Sequence, residues 1–329
     1  MDPAIYRVWR YLRIVGAGVE RTFDLDPYRY KMVRGIDYYR LTRDALARCP
    51  NVTMLQARVE AIEDGNERAR VWVDGQAHSA SWVFDSRYAA EEFAPDARRY
   101  HDLKQHFRGW VIEAEADCFD PAIPTWFDFR TPQRGALRFL YILPFSAREA
   151  LVEYTLFSTN LLTESEYEEA LGEYIESVLR LRSYRILERE TGRIPMTDQP
   201  FPRRAGNRVL NTGTRGGRVK ASTGFAFLRT QRDSVSIIAS LLRHGHPFAL
   251  PSPPRRYALF DSTMLQVMAR RGDDCAGLYA QLFRNNPIQR LLGFLDERNT
   301  WWQDLQVLAS LPAWPFLQAL WRIRVLGRI

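Results

Sequence analysis

The sequence predicts a mixed α/β fold of the α+β kind. Three observations carry this. Two strand-rich stretches occupy residues 22–157, a strongly signalled helix follows them, and everything from residue 257 onward has a helical pattern. The chain has 329 residues, more than the roughly 250–300 at which one hydrophobic core stops growing, so two lobes are expected.

Within the first stretch, short apolar runs rich in β-branched and aromatic residues predict strands at 22–25, 30–33, 53–55, 57–62, 69–73 and 82–84, with one helix at 36–47. The second stretch predicts four longer strands, at 107–116, 126–130, 139–143 and 150–157, which suit an antiparallel sheet able to floor a binding cavity. Thr163 followed by Glu166 is a capping-box signature and starts a helix expected over 163–183. A short strand at 209–211 leads into a glycine-rich loop, and a helix is expected from about Gly224. The helical C-terminal part is interrupted at Pro287, Pro312 and Pro315, which cannot donate to a helix ladder.

The formal charge of +7 comes almost wholly from arginine, because Lys31, Lys104 and Lys220 are the only lysines. A cationic surface favours anionic partners. The arginines are scattered and no zinc-finger, helix-turn-helix or RNA-recognition pattern is present, so lipid headgroups are the expected partner and nucleic acid is not. Cys49, Cys118 and Cys275 are odd in number and widely spaced, which indicates neither a disulfide framework nor a metal site and fits a reducing cytoplasm. Residues 1–12 are broken by Asp2, Pro3, Arg7 and Arg10, unlike a signal peptide. No run reaches the roughly 18 apolar residues a membrane-spanning helix needs, so any membrane association is expected to be peripheral.

Two segments invite a dinucleotide. Ile14-Val15-Gly16-Ala17-Gly18 resembles the opening of a phosphate loop, but Arg21 stands at its third glycine position and a strand-like run with Pro27 follows where a helix is required. A better candidate is Asn211-Thr212-Gly213-Thr214-Arg215-Gly216-Gly217, between a strand and the helix expected after Ser222-Thr223-Gly224. Glycine-freed amides and a helix N-terminus there could hold a pyrophosphate or the polar edge of a flavin. The same pattern also suits a tight turn feeding a capped helix. Asp85, at the end of the apolar run 82–84 and before Ser86-Arg87, is placed either to meet a ribityl hydroxyl or to accept hydrogen bonds from its own turn.

Among candidates for chemistry, Glu153 interrupts the apolar run Ala150-Leu151-Val152-Glu153-Tyr154-Thr155-Leu156-Phe157. Buried unpaired it would be costly; otherwise it faces solvent on an amphipathic strand. Asp128 and Arg130 alternate with Phe127 and Phe129, which puts both on one strand face. His106 reads as a structural histidine, and His244 and His246 flank Gly245 as loop or capping residues. Near the C-terminus, Trp301, Trp302, Leu305, Leu308 and Leu311, then Trp314, Phe316, Leu317, Leu320 and Trp321, are interleaved with Arg322, Arg324 and Arg328. Tryptophan with arginine suits a headgroup layer, and a helical hairpin closing the core is the competing use.

An ordered series of segments resembles the lycopene β-cyclase family from about Phe23 to the C-terminus. It comprises Pro27-Tyr28-Arg29-Tyr30-Lys31-Met32-Val33-Arg34-Gly35, Phe84-Asp85-Ser86-Arg87, Gln105-His106-Phe107-Arg108-Gly109-Trp110, Phe127-Asp128-Phe129-Arg130-Thr131 and Tyr141-Ile142-Leu143-Pro144-Phe145. Leu151-Val152-Glu153-Tyr154-Thr155, Gly192-Arg193-Ile194-Pro195-Met196 and the segment 213–227 complete it.

The resemblance implies a p-hydroxybenzoate-hydroxylase-like, FAD-binding fold whose dinucleotide part is incomplete here, since a βαβ unit needs roughly 30 residues ahead of the first matching segment. The expected layout is a partial FAD-binding domain at 1–96, a substrate-binding sheet domain at 97–204, a continuation of the FAD-binding domain at 205–250 and a membrane-associating helical region at 251–329. The resemblance also implies lycopene and related carotenoids as substrate, cyclised by acid–base chemistry without net redox. FAD acts in its reduced form, with NADPH as reductant. By the same resemblance Glu153 matches the first glutamate of the family's Phe-Leu-Glu-Glu-Thr motif, while Tyr154 stands in place of the second. Asp128 and Arg130 are then expected to orient Glu153 or the flavin, or equally to form a surface ion pair contributing little, and Asp85, Arg87, Gly213, Gly216, Gly217, Thr223 and Gly224 to contact FAD. A FAD-dependent hydroxylase or reductase of the same fold, or an inactive lipid-binding remnant, are the alternatives.

Overall fold

A computed structural model describes residues 2–326, so Arg328 of the expected membrane face lies outside the described residues. The chain divides into two compact units, one built from residues up to 49, 103–194 and 266 onward, the other from 50–102 and 195–265.

In chain order, β1 (Ile5–Trp9), β2 (Tyr11–Gly16), β3 (Val19–Asp24) and β4 (Tyr30–Val33) precede α1 (Gly35–Ala47). β5 (Val59–Glu63), β6 (Ala69–Val73), β7 (Gln76–Ala80) and β8 (Val83–Asp85) come next. Then follow β9 (Leu103–Ala114), β10 (Thr125–Asp128), β11 (Leu137–Pro144), β12 (Glu149–Ser158), α2 (Glu164–Ser177) and β13 (Tyr184–Met196). After β14 (Val209–Asn211) the chain is helical, with α3 (Phe227–His244), α4 (Arg255–Arg270), α5 (Gly272–Asn285), α6 (Ile288–Leu295), α7 (Trp301–Ala309) and α8 (Ala313–Trp321).

The first unit is built on a seven-stranded sheet in the order β13-β9-β12-β11-β10-β2-β3. From β9 to β10 each neighbour is antiparallel, and β10 takes β2 parallel. One face is covered by α2, which buries Tyr167, Leu171, Tyr174 and Ile175 at helical spacing against Ile112, Leu140, Val152, Tyr154 and Leu156. Thr163 caps that helix with the expected reciprocal Glu166 bond. It ends at Ser177, earlier than expected, where the chain turns toward β13. The opposite face carries Trp9, Leu143, Phe145 and Leu151 at one end. Further along, Phe127, Phe139 and Tyr141 form a ring cluster with Tyr279 and Phe283 of α5.

Several expectations are corrected. Residues 1–49 group with 103–194 and not with 50–102, because β2 and β3 are strands of the large sheet. In line with the failed phosphate-loop context, Gly16, Ala17 and Gly18, all at positive φ, turn the β2–β3 hairpin. Residues 53–55 form no strand. Finally, β13, a long edge strand, carries so many charges in Glu188-Arg189-Glu190 that its apolar alternation is weak, and it was not anticipated.

The second unit contains the parallel pair β14–β8, in register Asn211 to Asp85, and the antiparallel meander β5-β6-β7. α3 and the first turns of α4 complete it. The helical region expected at 251–329 is thus divided, since α4 starts in one unit and ends in the other.

Candidate active site

Period-two alternation along β12 decides where its carboxyl goes. Register aligns Tyr141 of β11 and Gly109 of β9 with Glu153, and aligns Leu140 and Arg108 with Tyr154. Tyr154 therefore joins the core beneath α2, where its hydroxyl accepts from Arg138 Nη1 at 2.9 Å. Glu153 points to the other face. There Thr155 Oγ1 donates to its Oε1 at 2.6 Å.

The surroundings of Glu153 are apolar and aromatic. Tyr30 stacks on Trp9 with centroids 5.8 Å apart and leans on Trp126 at 6.4 Å; Tyr141 receives a hydrogen bond from Trp126 and packs on Phe139 at 5.2 Å. Protein surrounds the Glu153 carboxyl, while the residue as a whole is half-buried. Burial pushes its pKa up to about 8; the Thr155 hydrogen bond opposes this, and the neighbouring Glu190 reinforces it. Burial also raises the pKa of Tyr30 and Tyr141, and the nearby Glu153 adds to both shifts, so both phenols stay protonated. At neutral pH Glu153 is thus a protonated carboxyl among aromatic side chains.

Asp128 and Arg130 form the expected pair, with Arg130 Nη2 donating to Asp128 Oδ2 at 2.6 Å, but not in the expected place. Asp128 aligns with Leu140 and so lies on the α2 face, away from Glu153. It is fully buried, accepts from the Tyr174 hydroxyl at 2.6 Å and from the Arg130 amide at 2.9 Å, and ties helix to sheet. The pair does not reach Glu153 because a one-residue offset in facing separates them across the sheet. His106 is structural: it is buried between the Tyr167 hydroxyl and Ser158 Oγ, and desolvation lowers its pKa to about 4, so it stays neutral.

The residues expected to meet a flavin cluster in the second unit. Asp85 accepts from the Arg87 amide at 3.0 Å and from Arg87 Nε at 2.9 Å, and pairs with Arg215 Nε at 3.1 Å. Burial opposes its ionisation, yet the Arg87 hydrogen bonds and the Arg215 charge outweigh that and lower its pKa. The carboxylate orders two arginines and accepts from its own turn. In the glycine loop, Gly216 is packed shut, since a Cβ would stand 2.4 Å from Asn211 O and 2.5 Å from Arg203 Nη1. Gly217 has positive φ and rests against Phe201. Gly213, also at positive φ, is open, with Ser86 Cβ the nearest atom at 3.9 Å. Thr223 and Gly224 form a turn closed on Lys220 O, and the helix starts only at Phe227 because Gly224 has φ of +73°. The loop and the helix N-terminus are thus not contiguous, contrary to the expected helix start near Gly224.

Two features escaped sequence reading. Lys220, buried, donates to Asp261 Oδ1 at 2.6 Å alongside Ser222 Oγ at 2.6 Å, a polar lock whose members are distant in sequence. Glu190 comes from the unanticipated β13 and lies over Gly109: a Cβ built on that glycine would stand 2.9 Å from Glu190 Cγ and Oε1. The one available signal was Gly109 itself, a glycine inside an otherwise apolar strand, which often marks a close approach.

On α7 and α8, Trp301, Trp302, Trp314, Leu317 and Trp321 are all exposed. A cleft of about 510 Å³ beside them is lined by Gln266, Arg270, Arg271, Trp314, Gln318 and Arg322. No described helix is long and apolar enough to cross a membrane.

A large mixed sheet backed by helices, with a small parallel pair feeding a glycine loop, defines a p-hydroxybenzoate-hydroxylase-like fold of the kind found in FAD-dependent hydroxylases. HpxO from Klebsiella pneumoniae, solved with FAD, superposes with a TM-score of 0.56 at 15% identity over 93% of this chain and 83% of that one. A geranylgeranyl bacteriochlorophyll reductase-like protein from Thermoplasma acidophilum gives 0.55 at 12%, covering 96% and 80%. p-Nitrophenol 4-monooxygenase from Pseudomonas putida gives 0.52 at 12%, covering 98% and 83%. Within that class the chain belongs to the lycopene cyclase family, whose profile, described as lycopene cyclase protein, matches residues 1–321. No curated protein matches the sequence significantly.

Proposed function

We propose that this chain is a lycopene β-cyclase that closes the ψ-ends of lycopene, with Glu153 as the proton donor. The observation that carries this reading is the desolvated carboxyl of Glu153, held protonated at neutral pH among the aromatic side chains of Tyr30, Trp126 and Tyr141. Protonating an isolated alkene in water is hard. A desolvated carboxyl acts as the acid where water cannot compete for the cation that forms.

The reaction needs three events. Glu153 gives its proton to the terminal double bond; the resulting cation is attacked by the neighbouring double bond, forming the ring carbon–carbon bond; and a ring carbon loses a proton. Proton number and oxidation state return to where they began. Aromatic faces attract a passing cation through their quadrupoles, worth about 2 kcal/mol or more when desolvated. Asp128 and Arg130 take a different part from the one expected of them: they hold α2 against the sheet that carries Glu153.

The second unit fits FAD in part. Gly213 leaves space for a ligand edge, and Arg87 and Arg215, ordered by Asp85, offer cations for a pyrophosphate at the carboxyl ends of β8 and β14. Gly216 and Gly217 shape the loop, and Thr223 and Gly224 shape the turn ahead of α3. Reduced FAD held by these residues, with NADPH as its reductant, would supply electron density able to stabilise a carbocation. The exposed tryptophans of α7 and α8 and the adjoining arginines give the protein a face for a lipid surface, from which a water-insoluble polyene must be drawn.

The test is expression in a lycopene-accumulating bacterium with chromatography of the pigments. Cyclic carotenes are expected, without stoichiometric NADPH consumption. Glu153→Gln should lower the rate by about 10²–10⁴-fold, the usual worth of a general acid. Unchanged lycopene with the unsubstituted chain, or full activity in Glu153→Gln, removes this assignment.

A further inference from the structure

The geometry points to Glu190 as the second carboxyl of the site, a positioning residue that shares the proton of Glu153 across Gly109 and exchanges it with water. This rests on the cyclase reading for its meaning in turnover, but the carboxyl pair itself stands on the structure alone.

Three observations converge. Register puts Gly109 directly beside Glu153 on β9. The Cγ and Oε1 atoms of Glu190 occupy the volume a Cβ at Gly109 would fill, 2.9 Å from that position, with Leu151 Cδ1 3.0 Å away on the other side. Only a glycine lets a side chain from the edge strand cross over β9 to reach β12. Glu190 is also exposed, so one carboxyl of the pair belongs to a solvent-facing residue while the other is buried. Tyr154, which stands where the second glutamate of the motif would be, points into the core under α2, and no backbone rotation within a paired strand returns it to this face.

The groups facing Glu153 are Tyr141 on β11, Tyr30 on β4, Thr155 on its own strand and Glu190 on β13. Of these only Glu190 is a second carboxyl. Two close carboxyls cannot both ionise cheaply, so the pair holds one proton, and the buried member keeps it. During turnover that proton moves to the alkene carbon and the pair becomes doubly negative. The proton lost by the ring carbon then restores the pair to one proton. Atoms and charge balance, and no oxidant or reductant is consumed.

The experiment is a pH titration of the protonated-carboxyl infrared band in the purified protein, assigned to Glu153 by its loss in Glu153→Gln. In Glu190→Gln the midpoint should fall by roughly one pH unit or more, a tenfold change in proton affinity. Gly109→Ala, which evicts the Glu190 side chain, should shift it the same way, and Glu190→Asp should recover part of the shift. Circular dichroism checks that each variant is folded; Glu190 lies on an exposed edge, where substitution leaves the core intact. An unmoved midpoint in folded Glu190→Gln overturns the pair even if the protein cyclises lycopene. A shifted midpoint in a protein that leaves lycopene untouched keeps the pair and overturns only the cyclase reading. In an active enzyme, the alkaline limb of kcat should move down with the infrared midpoint while KM for lycopene stays constant.

Discussion

A single buried carboxyl links stability to pH in a direction opposite to most glutamates. Folded Glu153 holds its proton up to about pH 8 against an ordinary value of 4.5. Between those values the folded chain binds more protons than the unfolded one, so stability falls as pH rises through that window. Glu153→Gln removes the contribution. The thermal midpoint of the variant, relative to the parent, should rise steadily between about pH 5 and pH 8; parallel midpoints across that range would show that Glu153 is not desolvated. The sequence already marked this residue, because a lone acid among Leu151, Val152 and Phe157 is conspicuous. It did not mark Glu190, which looks like one charge among several on a polar strand and acquires meaning only from Gly109 beneath it.

At the level of elements, the large sheet separates the proposed chemistry from its support. One face of β9, β11 and β12 supplies Gly109, Tyr141 and Glu153; the other supplies Arg108, Leu140 and Tyr154, on which α2 rests. The Tyr174–Asp128 hydrogen bond is the polar link between α2 and β10. Tyr174→Phe leaves a buried carboxylate short of a donor and should cost about 1–3 kcal/mol in denaturant unfolding, while the titration of Glu153 stays where it was. A shift in that titration would mean the two faces communicate. Alternation along 126–130 correctly paired Asp128 with Arg130, but which face they occupy depends on register against β11, and β10 carries a bulge there that no sequence pattern reveals.

Across the whole molecule, the charge is arginine-rich and the aromatic rings of α7 and α8 are exposed, and the proposed lipid-facing surface rests on these two features. Trp302 and Trp314 are 68% and 66% exposed. Replacing both with alanine should weaken partitioning onto phosphatidylglycerol vesicles by about tenfold or more, with added salt weakening it further. Equal flotation of parent and double variant would assign these rings to another role. By itself the sequence determined the fold class, the family, the antiparallel sheet, the capped helix after it and the suspect glutamate, because periodicity, capping and an acid in an apolar run are local signals. Only the tertiary structure decided that residues 1–49 complete the large sheet, that Asp128 serves the far face, that Asp85 is spent on two arginines and that Glu190 meets Glu153. Each depends on strand register or on contact between segments far apart in the chain, and a linear pattern carries no record of either.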